Sequence, residues 1–314
     1  MQIPPAQLIA EPALAWKVAV GVRGLDPDSA EARASALRVR NAPLVRALLA
    51  GLDASHRPYK KWDGAHWVLS LLADLGYPPG DESLRPLMDE SYNSWLGKAH
   101  QKYIRMIAGR VRRCASQEGN AVWYSLRLGL ADRRTDELVA RLMEWQWPDG
   151  GWNCDKRPEV EISSFMETLI PLRGLALYGQ LSGDAKVNAA VGRAAEVFLG
   201  RELFKRRSDG AVIDPHFIRL HYPPFWHYDI LFGLKVLAEA GFLADPRCRA
   251  ALDLLESKRL PDGGFPAQAS YTRPTRPELS GYSPVNWGGT SRKKLNLFVT
   301  ADALTVLRLA GRQG

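Results

Sequence analysis

Glu167, in SSFMETLIPL, and Asp229, in FWHYDILFGL, are carboxylates at the head of long apolar stretches. A buried carboxylate is costly unless it is paired or used, so these two are the leading candidates for acid/base work. His227 lies two residues before Asp229, and neighbours that hold Asp229 protonated would make it a general acid. Counting back twelve residues from the closing glycines Gly129, Gly179 and Gly241 places Gln117, Glu167 and Asp229 at one level. The same count from Gly76 and Gly311 gives Gly64 and Val299. Glu118, Asn120, Ser163, Ser164, Tyr228, Asn296 and Thr300 lie close to this level in sequence. Trp62, Trp67, Trp123, Phe165, Phe225 and Trp226 add aromatic faces of the kind that bind a substrate or stabilise a cation. Each carboxylate has a plainer alternative, capping a helix or accepting from backbone amides. Each aromatic has one too, as core packing.

These residues need elements to hold them, and the chain is organised by a repeat. Six apolar stretches close at a glycine, from WKVAVGVRG at Gly24 through Gly76, Gly129, Gly179 and Gly241 to ALTVLRLAG at Gly311. The intervals are 52, 53, 50, 62 and 70 residues, longer than the ~34–47 of tetratricopeptide or HEAT repeats. Glycine ends a helix readily because it accepts positive φ. Residues 164–179 are apolar around most of the circumference, predicting a buried inner helix. Residues 185–200 place Val187, Val191, Ala194, Ala195 and Phe198 on one side, predicting an amphipathic outer helix. The pattern predicts an all-α chain, an α/α toroid of about six helical hairpins forming one domain over residues 1–314.

Tight turns punctuate the repeat at QWPDGGW (Gln146–Trp152), at KRLPDGGF ending at Phe265, and in degraded form around Asp209 and Gly210. QWPDGGW resembles the QW motif of squalene-hopene and oxidosqualene cyclases, and DGGF turns resemble those of protein prenyltransferase β subunits. The helix VTADALTVLRLAG (Val299–Gly311) resembles the T-A-x-A-L helix of the same cyclases. The chain is thus similar to the terpenoid cyclase/protein prenyltransferase superfamily over most of residues 12–311. That resemblance implies an enzyme acting on an isoprenoid or another bulky apolar substrate in a central aromatic-lined cavity. Its acid motifs, D-x-D-D and D-C-T-A-E, do not occur here.

The segment HFIRLHYPPFWHYD holds three of the six histidines, at spacings that match no zinc helix motif. FWHYDILFGL resembles the prenyltransferase segment bearing the zinc-binding histidine, which points to His227. The companion Asp-x-Cys is missing, since Glu161–Ser163 stands in its place and Cys154 and Asp155 lie upstream. No metal and no cofactor is therefore expected.

A net charge of +8 comes from short basic clusters broken by acidic stretches, with no reader motif for nucleic acid. Nucleic-acid binding is not expected, while anionic substrate groups such as a diphosphate stay open. Arg292, Lys293 and Lys294, just ahead of the last inner helix, suit a phosphate or carboxylate and equally suit a solvated rim. Three widely spaced cysteines, Cys114, Cys154 and Cys248, favour a reducing compartment. The N-terminus lacks a signal-peptide pattern and no run spans a bilayer, so a cytoplasmic protein is expected, with peripheral membrane contact left open. Two other functions compete with the isoprenoid reading. One is a carbohydrate-active hydrolase or lyase with Glu167 and Asp229 as acid and base. The other is a non-catalytic small-molecule-binding toroid whose carboxylates are locked in salt bridges.

Overall fold

The computed structural model describes residues 10–52, 54, 55 and 57–312. The expectation that no leader opens the chain concerns residues 1–9, which lie outside the described residues. Helix makes up 51% and strand 4%, which defines an all-α chain. No helix among the described residues is long and apolar enough to cross a membrane.

Helix α1 (Pro12–Lys17) runs into a π-helical turn, Val18–Val22, and is followed by α2 (Ala30–Arg40), α3 (Pro43–Ala50) and α4 (Ala65–Asp74). Helices α5 (Arg85–Leu96) and α6 (Lys98–Gln101) lead into a hairpin of β1 (Arg105–Ile107) and β2 (Arg110–Arg112), with Met106 opposite Val111. Then come α7 (Ser116–Arg127), α8 (Arg133–Trp145), α9 (Phe165–Ser182) and α10 (Ala185–Leu199). Helices α11 (Ile230–Glu239), α12 (Arg249–Glu256) and α13 (Leu297–Leu309) complete the series.

Two kinds of helix alternate. In α7 every residue from Ser116 to Ser125 is buried, and α4, α9, α11 and α13 are buried over most of their circumference. By contrast α8 buries one stripe, Thr135, Leu138, Val139, Leu142 and Trp145, at helical spacing. A capping box between Asp132 and Thr135 starts it. The buried helices meet in succession, α4 against α7, α7 against α9, α9 against α11, α11 against α13, and α13 against α1. Between α1 and α4 the link is Trp16, whose ring lies where a Cβ on Gly76 would stand. The closest packing is between α7 and α9. A Cβ on Gly119 would fall 2.6 Å from the backbone of Pro171, so only glycine lets the two backbones approach this far.

The glycine stops behave as expected at Gly24, Gly76, Gly129, Gly241 and Gly311, all with positive φ. Gly179 does not stop its helix, and α9 continues to Ser182 and ends at Gly183 with φ of 71°. Gly179 instead makes room for Asn188, whose Oδ1 would lie 2.2 Å from an added Cβ.

The two DGG turns are built alike. In the first, Trp147 N donates to Gly151 O at 2.8 Å and Trp152 N to Thr168 Oγ1 at 3.1 Å. In the second, Leu260 N donates to Gly264 O at 2.9 Å and Phe265 N to Thr300 Oγ1 at 2.9 Å. The return strands match as well, Ser164 N reaching Trp152 O at 2.9 Å and Asn296 N reaching Phe265 O at 2.8 Å. Gln146 fastens the first turn to a neighbouring helix by donating to Ala190 O at 2.9 Å.

Candidate functional site

Apart from Trp123, the residues singled out by sequence gather around the N-terminal ends of the buried helices, and most have a partner that accounts for their burial. Asp229 is the N-cap of α11, accepting from Phe232 N at 2.8 Å and from His221 N at 2.9 Å. Its Oδ2 also lies 2.7 Å from His221 Nδ1. Burial alone would lower the pKa of His221, but the adjacent carboxylate carries it above the ordinary value. Asn296 caps α13 through Phe298 N and Val299 N, and its amide donates to Trp287 O at 2.6 Å. Glu118 meets His100 at 2.7 Å and Arg113 at 3.3 Å, and Arg113 also bonds Gln117. Asn120 accepts from Ser70 Oγ at 3.1 Å.

The aromatics form two packed groups. Trp62 stacks on Phe225 with ring centroids 3.9 Å apart and meets Trp67 edge-on at 4.8 Å. Its indole donates to Tyr271 O at 2.6 Å, tying the long loop to this end of the helices. His227 is sandwiched between Trp226 at 4.1 Å and Tyr271 at 3.4 Å. Burial, then the nearby His221 and Lys61, push the His227 pKa down to about 3. Phe165 and Tyr228 pack with Phe198 and Phe217, and the Tyr228 hydroxyl donates to Leu203 O at 2.7 Å.

Glu167 is different. It is 9% exposed, its Oε2 accepts from Ser116 N at 3.0 Å, and Cys154 Sγ lies 3.7 Å from Oε1. Burial raises its pKa above the usual carboxylate value. Cys114 joins the group, and one donor atom from each of Cys114, Cys154 and Glu167 lies within 4.8 Å of the others. The two cysteines are forty positions apart and match no ligand-spacing motif, so sequence reasoning paired neither with the other.

A cavity of about 360 Å³ opens farther along the same helices, at their middle and C-terminal parts. Trp16 and Lys17 reach it from α1, Asp74 from α4, Trp123 and Arg127 from α7. Arg173 comes from α9, Lys235 and Glu239 from α11, and Asp302 from α13. Of the site residues predicted from sequence, Trp123 alone lines this cavity. Its floor is an ionic lattice. Lys17 meets Asp74 at 2.7 Å and Asp302 at 2.9 Å, while Lys235 meets the same two at 2.7 Å and 3.0 Å. Arg173 bridges Glu239 and Asp74 and lies 3.5 Å above the Trp123 ring. Tyr222 donates to Asp74 at 3.0 Å. Burial tends to raise the pKa of Asp74, but Lys17, Lys235 and Arg173 outweigh it and hold the group well below the carboxylate range.

Arg127 stands apart. Among the described residues its side chain makes no hydrogen bond or ion pair, whereas Lys17, Arg173 and Lys235 are each paired to carboxylates. The residue is exposed, while desolvation by the surrounding protein, partly offset by the nearby Glu239, pushes its pKa below the ordinary value. The signal in the sequence was a charge set within each apolar run two to nine residues before its glycine: Lys17, Asp74, Arg127, Arg173, Lys235 and Asp302.

No protein-family model, curated protein or solved structure matches the chain.

Proposed function

We propose that the six buried helices close into an α/α toroid whose cavity receives one small molecule with an apolar body and an anionic group. Prenyl diphosphates are the class implied by the resemblance to terpenoid cyclases and prenyltransferases. The observation that carries this reading is Arg127, a cation facing the cavity without a partner while its neighbours are neutralised. Arg127 is exposed at the rim of the cavity, and a guanidinium so placed recognises phosphate or carboxylate in a bidentate manner. Trp16, Trp123, Val20 and Leu177 offer the apolar body its contacts. Asp74 is held ionised and is therefore a poor proton donor, so the cavity favours capture of an anion over protonation of an alkene.

The carbohydrate-active reading has less support, because Asp229 is engaged with His221 and the start of α11. Isothermal titration with geranyl diphosphate, farnesyl diphosphate, squalene, inorganic diphosphate and a xylo-oligosaccharide tests the proposal. Binding of the prenyl diphosphates by wild type, weakened at least tenfold in Arg127→Ala, is the expected result. Binding of squalene or the oligosaccharide alone would sink it.

A further inference from the structure

We infer that Cys114, Cys154 and Glu167 form a binding site for one thiophilic divalent cation of the zinc class. This goes beyond the cavity reading and does not depend on it. The argument starts from donor chemistry. Two sulfurs and a carboxylate oxygen are the ligand types that zinc takes in tetrahedral sites. With Zn–S near 2.3 Å and Zn–O near 2.0–2.2 Å, ligand atoms around one ion stand roughly 3.5–3.8 Å apart. Here Cys154 Sγ and Glu167 Oε1 are 3.7 Å apart, and the three donor atoms fall within 4.8 Å of one another. Rotations about the cysteine side-chain bonds cover the remaining difference.

The scaffold presents these ligands from three segments pinned to each other. Arg112 forms a parallel bridge with Asn153, and Arg113 N donates to Asn153 O at 3.2 Å, which sets the two following cysteines side by side. Trp147 Nε1 donates to Val111 O at 2.8 Å and reinforces the same pairing. Thr168 binds Trp152 N, fixing the helix that carries Glu167 against the turn that carries Cys154. The carboxylate is aimed by its second oxygen, which Ser116 N holds at 3.0 Å. Such outer contacts orient a ligand before the metal arrives. Three protein ligands leave one tetrahedral position for water or a bound molecule, the coordination state of reactive zinc sites. Binding the ion as two thiolates releases two protons to solvent.

His227 lies outside this set, stacked between Trp226 and Tyr271. The ligands therefore differ from the histidine set that the prenyltransferase resemblance implies.

The full-length protein, reduced and freed of metal, is titrated with Zn²⁺ and separately with Co²⁺. One equivalent per chain is expected, with a sulfur-to-cobalt charge-transfer absorption of the strength given by two thiolates. Cys114→Ser and Cys154→Ser should each lose about half of that absorption, and Cys248→Ser should keep it all. Glu167→Gln should retain the band while weakening Co²⁺ by at least the ~10–100-fold that changes in supporting contacts cost. The wild-type spectrum decides the matter even where a variant fails to fold. No charge-transfer absorption at saturating Co²⁺ in fully reduced protein would overturn the inference. So would a purified chain two hydrogens lighter than its sequence through a Cys114–Cys154 disulfide.

Discussion

The two ends of the buried helices solve the problem of polar burial in opposite ways. At the N-terminal ends, Asp229, Asn296 and Glu167 are satisfied by backbone amides, and aromatic rings fill the space around them. Toward the middle and C-terminal parts, Asp74, Asp302 and Glu239 are satisfied by Lys17, Lys235 and Arg173, and the space is left open. Asp229 and Asn296 cap their own helices, whereas Glu167 reaches across to the first turn of α7. Charge-satisfied groups tie distant helices together, and removing one member leaves its partners unpaired in a poor solvent for charge.

The contrast can be broken most forcefully at Asp74, which meets Lys17, Arg173, Lys235 and Tyr222. Asp74→Ala is expected to cost about 3–5 kcal/mol in urea unfolding. A loss below about 1 kcal/mol would mean the lattice holds little of the fold. At the opposite end, Thr168→Val removes the hydroxyl that takes Trp152 N. An unsatisfied buried amide should cost about 2 kcal/mol, read in the same unfolding experiment.

A smaller effect concerns pH. His227 titrates at about 3 in the folded chain, below its unfolded value near 6.5, so the unfolded state binds the proton first. Stability falls as pH drops from about 6.5 toward 3. His66, also lowered to about 3 by burial, acts in the same direction. His221 has a raised value, so its contribution is complete below about 6.5 and is lost only as pH rises through the folded value. His227→Phe keeps the stacking and removes one titration. It should reduce the stability lost between pH 6.5 and 5.5 by about 1 kcal/mol, and an unchanged loss would show that His227 is accessible to protons. The smallest effect is expected at Arg127, where Ala should alter stability by less than about 0.5 kcal/mol while reducing anion binding. A large destabilisation would reveal a structural partner.

The alternation of helices was readable because burial writes its pattern locally. The all-round apolar character of residues 164–179 became α9, and the one-sided pattern of 185–200 became α10. The shared level of Gln117 and Glu167 was also visible, since both sit in the first turn of their helices. What could not be read was which charge met which. Lys17 and Asp302 are separated by nearly the whole chain, and only the packing of α1 against α13 brings them to 2.9 Å. The Cys114–Cys154 contact was hidden for the same reason, being set by the bridge between Arg112 and Asn153. Gly179 misled because a small residue in a helix can serve a neighbour's side chain as well as a chain reversal.

The matched turn clamps have a consequence for how such a chain can change. From Trp152 the chain leaves and comes back at Ser164; from Phe265 it leaves and comes back only at Asn296. Both excursions begin and end on the same pair of backbone and threonine contacts. The same clamp thus closes excursions of very different length. Loop closure adds only about 0.6 kcal/mol for each doubling of length. Residues 266–295 use that freedom to reach back over the helices: Trp287 packs on Tyr222 and Phe298 of the core, and Tyr271 covers His227.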